Sequence, residues 1–153
     1  MRALRCSGED GLRLRDLIFS LLLSAPCCAE PLSILTQSGP VELDVEMAMD
    51  EPSRTLGLMF RKKLGEKSGM LFVYPEVQKV ALWMKNTYVP LDMIFIDGHG
   101  EIVHIHPNAE PRSLKEINSI KPAKAALEIG GGQASRLGIR QGDRVQHSVF
   151  PGQ

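Results

Sequence analysis

The run Met93-Ile94-Phe95-Ile96, the turn Asp97-Gly98-His99-Gly100 and the run Glu101-Ile102-Val103-His104-Ile105-His106 constrain the fold more than any other stretch. Asp-Gly supplies the positive φ angles needed by a tight turn between twisted strands, so this segment predicts an antiparallel hairpin. Residues 69–75 and 80–84 are too apolar for an open face and predict central strands of a small curved sheet. Pro75 and Pro90 then fall at strand ends, where a missing N–H costs least. Upstream, Val41, Leu43, Val45 and Met47 alternate with Glu42, Asp44 and Glu46. Paired with residues 33–36 around Ser38-Gly39-Pro40, they predict a second hairpin with one face in the core and an acidic face in water.

Asp50 is placed to cap a helix that carries Pro52 in its first turn. Leu56 and Met59 would share its buried stripe, Gly57 would allow close approach to another backbone, and Arg61-Lys62-Lys63 would form its exposed basic end. Residues 108–120 are polar and predict a surface loop, residues 123–129 a returning strand, and residues 133–138 a short helix stopped by Gly138. A last strand is expected near Arg144-Val145. Six to eight short strands with two short helices imply a mainly β fold, at the margin of α+β: a compact, mainly antiparallel, barrel-like sheet.

The first 29 residues follow a different pattern. Arg2, Arg5, Arg13 and Arg15 precede the apolar run 17–25, and Pro26-Cys27-Cys28-Ala29 supplies small residues beyond it. This is the layout of a cleavable secretory signal, with residues 30–153 as one β-rich domain in a periplasmic or secreted location. The apolar run is short of the roughly 20 residues that a spanning helix needs, so no permanent membrane span is expected. Cys27 is a poorer lipidation site for having Pro26 before it. The chain has three cysteines, Cys6, Cys27 and Cys28. All precede the cleavage point, which leaves the domain without disulfide, thiol nucleophile or thiolate metal ligand.

Lys plus Arg number 18 and Asp plus Glu 18. Such a balance gives no overall field to attract nucleic acid, so partners must be recognised locally.

Four segments specify more. Leu-Gly-Leu-Met-Phe-Arg at 56–61, Gly-Met-Leu-Phe-Val at 69–73, residues 83–97 and Leu-Gly-Ile-Arg-Gln-Gly-Asp at 137–143 occur in one order along the chain. Over roughly residues 40–145 the sequence resembles domain-of-unknown-function family 192, also called uncharacterised protein family 0127. The resemblance implies a small, often secreted fold and brings no established activity. Its motif centre matches Trp83, Met84, Lys85, Asn86, Thr87, Pro90, Leu91 and Asp92. The chain departs from the family at residues 123–126, where an aromatic is common, and at Gly130-Gly131-Gly132.

Within residues 81–96, Lys85, Asn86, Thr87 and Asp92 bring charge, amide, hydroxyl and carboxylate groups into eight positions. With Arg54 they form the candidate ligand-binding set, a polar rim for a small polar ligand or a protein partner, with Asp92 buttressing Lys85 or Arg54. Asn and Thr also bond readily to nearby backbone, which makes a merely structural loop the competing reading. Trp83, alternating with Met84, is expected in the core. Rival functions are a hydrolase or transferase using Lys85 and Asp92, and a structural accessory protein. No catalytic residue is assigned. His104 and His106 lie two apart on the expected solvent face of a strand, with His99 several residues away, and no metal or other cofactor is expected. Gly130-Gly131-Gly132 lacks the spacing of a phosphate-binding loop and predicts a helix entry.

Overall fold

The computed structural model describes residues 29–150; all three cysteines and all of the expected 1–29 leader except Ala29 lie outside that range. Alternating sequence folds as expected into the first hairpin, β1 (Glu30–Thr36) and β2 (Gly39–Ala48), and residues 97–101 turn β5 (Leu91–Ile96) into β6 (Ile102–Ala109), with the positive φ at Gly100 rather than at Asp97 or Gly98. With β3 (Ser68–Gln78), β8 (Ala123–Gly130) and β9 (Arg144–Gln146) these strands form one sheet of order β6-β5-β8-β3-β2-β1-β9. Every pairing is antiparallel except β2 with β3. The sheet curls until its ends meet. Glu101 and Arg144 form a bridge, the Ile102 N–H donates to the Asp143 carbonyl at 2.9 Å, and the Val145 N–H to the Gly100 carbonyl at 2.8 Å. Such closure protects both edges.

Curling separates two cores. The barrel interior holds Leu32, Ile34, Leu43, Val45, Leu71, Ile94, Ile96, Leu127 and Ile129. A second cluster lies on the outer face of β3, β5 and β8, where Met70, Phe72, Met93, Phe95 and Ala126 are covered by Leu58, Val80, Met84 and Ile117. Both faces of β5 are therefore buried, which explains its unbroken apolar sequence. The covering layer contains Leu58, just after α1 (Glu51–Leu56), and a two-stranded ribbon of β4 (Ala81–Leu82) and β7 (Ile117–Asn118).

Several local expectations need correction. Residues 80–84 supply no central strand; only Ala81 and Leu82 pair, in the covering ribbon. β3 runs through Pro75, whose missing N–H falls within the register shift between Val73 and Gln78, where no ladder bond is needed. Helix α1 ends at Leu56 with no buried residue; Gly57 at φ 49° terminates it, and Leu56 is exposed. Its start is as expected: Asp50 accepts the Ser53 N–H at 2.7 Å within a capping box. Hydrogen bonding by Ser53, first from its side chain and then from its backbone N–H, holds the Asp50 carboxyl below its ordinary pKa. Arg61 is no helix end but forms a bidentate pair with Glu46, so one acid of the β2 row has a partner. The expected loop at 108–120 contains β7 and buries Ile117.

Candidate functional site

Asp92 occupies a different place from the other four candidates. It shares the parity of Ile94 and Ile96, is 0% exposed, and its carboxylate is taken up by backbone. Oδ1 accepts the N–H groups of Asn108 and Gly132 at 2.8 and 2.9 Å, and Oδ2 accepts that of Ala134 at 2.8 Å. These bonds clamp the end of β6 and the entry to α2 (Gln133–Arg136) onto β5. Gly132, at φ 78°, makes that entry, in agreement with the expected role of the three glycines. Gly131 packs so tightly that a Cβ there would lie 2.9 Å from both Asn108 Oδ1 and Pro90 Cβ.

Arg54 and Thr87 converge on one cleft of about 210 Å³ on the outer face. One wall is α1 and the turn after it, Arg54 to Met59; the other is β4 with Trp83 and Thr87; the floor is Phe72 and Tyr74 of β3 and Glu128 of β8. The Arg54 Nη1 donates to the carbonyls of Met49 and Val73, and its guanidinium lies 5.5 Å from the Tyr74 ring centroid. Thr87 is buried, with its Oγ1 donating to the Lys85 carbonyl at 3.2 Å. Asn86 takes the left-handed conformation, φ 53°, that asparagine tolerates well; its carbonyl accepts the Phe60 N–H at 2.8 Å. Asn86 thus ties the loop to the cleft wall without lining the cleft.

Trp83 is 48% exposed at the lip, while Met84 is fully buried, which reverses the expected core role of the tryptophan. The Lys85 ammonium sits 5.4 Å from its ring centroid. With Leu56 at the same lip, and with Phe60 and Tyr88 in edge-to-face contact nearby, the mouth is rimmed by exposed apolar side chains.

Sequence reading missed Glu128. Alternation along β8 turns Leu127 and Ile129 into the barrel and Ala126 and Glu128 outward, and Glu128 is flanked by Met70 on β3 and Met93 on β5. Only 5% exposed, its carboxyl group makes no hydrogen bond or ion pair to the described residues and lines the cleft, where its oxygens are not sealed from solvent; the fully buried polar atom left without a partner is instead Gln133 Oε1. Burial pushes its carboxyl up to about 8, so the acid is mainly neutral at pH 7. Tyr74 is pushed up to about 12, chiefly by burial, then by the Glu128 charge, with Arg54 opposing. The signal available in the sequence was a lone acid between Leu127 and Ile129 in a strand otherwise free of acidic residues.

A second cleft, larger at about 490 Å³, lies over β6 and β7 and is lined by His104, His106, Asn108, Glu110, Ser113, residues 115–118 and Ile120. His104 stacks on Phe95 at 5.9 Å, and burial, then the neighbouring His106, lowers its pKa. No group of three or more His, Cys, Asp or Glu stands ready to hold a metal among the described residues. The smaller cleft carries the stronger chemistry, because it contains a buried acid with its hydrogen-bonding capacity unspent.

The model of the family Uncharacterized ACR, DUF192, matches residues 33–147, which spans the sheet from β1 to β9 and both clefts. The chain belongs to the DUF192 family. Two solved structures share this DUF192 fold. A protein from Sinorhizobium meliloti 1021 described as a candidate transcription regulator is 43% identical, with 78% of this chain and 94% of that one covered at a TM-score of 0.76. A protein of unknown function from Novosphingobium aromaticivorans DSM 12444 is 36% identical, with 78% and 85% covered and a TM-score of 0.76. No curated protein matches this DUF192 chain.

Proposed function

We propose that this DUF192 domain is a binding module that holds a small polar ligand in the cleft between Arg54, Trp83, Thr87 and Glu128, with Lys85 and Asn86 shaping its lip. The observation that carries this reading is Glu128, a buried carboxyl group with no partner among the described residues, facing a cleft open to solvent. A ligand that supplies a hydrogen bond to this carboxyl group would use a capacity that the described residues leave open. Asp92 acts behind this site by fixing the β5, β6 and α2 junction. The exposed Leu56, Phe60, Trp83 and Tyr88 favour a second reading, in which the same face docks a protein partner.

An arginine- and lysine-rich face for nucleic acid has no support in the even charge balance, so the description of the Sinorhizobium protein as a regulator is not carried over. Residues 1–29 as a secretory leader would place the module in the periplasm or outside the cell. Native mass spectrometry of the protein recovered from its own host tests the binding reading. A stoichiometric small-molecule adduct, lost when Thr87 and Glu128 are both replaced, is the expected result. An adduct unaffected by both replacements would remove the cleft from consideration.

A further inference from the structure

We infer that the ligand of this cleft carries a protonated amine, and that Glu128 is its counter-ion. The inference rests on the cleft being a binding site and names the chemistry that it selects. A buried carboxyl group beside aromatic surfaces is a receptor for a cationic nitrogen: the carboxylate supplies charge and hydrogen-bond acceptance, and ring faces stabilise the adjoining cation. The cleft offers Glu128 on its floor, with Phe72 and Tyr74 beside it and Trp83 at the lip.

Charged neighbours are arranged consistently with this. Glu128 is flanked by Met70 on β3 and Met93 on β5, so neither adjacent strand sets an ionisable residue directly across from it. Tyr74 on β3 is the titratable group that senses Glu128, and Arg54 of α1 acts on Tyr74 from the other side. Burial is the cause that shifts Glu128 itself. The Arg54 Nη1 is directed to the Met49 and Val73 carbonyls, and Lys85 lies over Trp83. The floor of the cleft is therefore left to the acid.

Binding has a proton balance. The free Glu128 carboxyl group holds its proton at neutral pH; on binding a cation it becomes carboxylate and releases that proton to solvent, while the amine keeps its own. Affinity should consequently rise from pH 6 to pH 8 and level off above.

The test uses three probes of nearly equal size, n-butylammonium, n-butanol and butanoate, at concentrations on the order of 10 mM, because so few heavy atoms reach at best millimolar affinity. Trp83, the only tryptophan, reports occupancy through its emission, and calorimetry in buffers of different ionisation enthalpy counts protons. The expected result is binding of n-butylammonium alone, with most of one proton released at pH 6.5 and little at pH 9, and at least tenfold weakening in Glu128→Gln. Proton counting on the unaltered protein needs no variant, and circular dichroism verifies the fold of the variant. Binding of n-butanol or butanoate in preference, or n-butylammonium binding without proton release, overturns the amine while leaving the cleft a site. Silence from all three probes overturns the amine, and no response at Trp83 to any chemically broader fragment set then overturns the cleft as well.

Discussion

The Asp92 Oδ2 accepts the backbone N–H of Ala134 at 2.8 Å, joining the start of β5 to a helix 42 residues further along the chain. With the Asn108 and Gly132 N–H groups on Oδ1, one carboxylate satisfies three backbone donors. Replacing Asp92 by Ala strands all three, at a cost on the order of 3 kcal/mol or more. Urea denaturation should show that loss, with Asp92→Asn intermediate because its amide nitrogen cannot accept. Unchanged stability in Asp92→Ala would refute the clamp.

Much of the fold follows from strict alternation. Val41 to Met47 specify the first hairpin because a one-residue slip would turn every apolar side chain to water, whereas the second is set by its turn, in which Asp97 Oδ1 accepts the His99 and Glu101 N–H groups and Gly100 takes φ 84°. The second core was not legible. Residues 80–84 are as apolar as a sheet strand, yet they serve as a lid, and nothing local distinguishes the two uses. For the same reason the Trp83 and Met84 orientations came out reversed: with only Ala81 and Leu82 paired, no strand extends far enough to impose a parity on Trp83. In the site, Lys85 to Thr87 stood out by residue type, whereas Glu128 acquires its meaning from Met70 and Met93, which are distant in sequence.

Glu128 makes stability depend on pH in a definite direction. Its folded pKa, about 8, lies above the ordinary carboxyl value of 4.5, so between these values the folded state binds more protons than the unfolded state. Its contribution is fully present below about pH 4.5 and is lost as pH rises through about 8. Thermal or urea unfolding of the protein and of Glu128→Gln across pH 5 to 9 should diverge steadily. The variant should gain a few kcal/mol relative to the parent by the top of that range. Parallel profiles would mean that the acid is not buried in solution.

Gly69 on β3 lies against Glu128 from the other strand. A Cβ at residue 69 would approach the Glu128 carbonyl oxygen to 2.6 Å and the Ile129 Cγ2 to 3.0 Å, and a sheet backbone cannot retreat. Gly69→Ala should destabilise the protein by about 1–3 kcal/mol, read as a lower denaturation midpoint. A neutral substitution would indicate that β3 and β8 are less closely apposed than described.

His104 gives an independent check on the second cleft. Burial and then His106 lower its pKa, so His106→Gln should raise its titration midpoint in NMR while the share due to burial persists. No change would show that the two rings do not sense one another.

The most direct measurement of the central claim is a ¹H–¹⁵N NMR titration of the protein with a library of small polar fragments. Responses are expected to concentrate on the Trp83 indole and on the amides of Gly57, Met59, Thr87 and Glu128, residues that line the smaller cleft. Responses confined to residues 104–120, around the larger cleft, would contradict the claim.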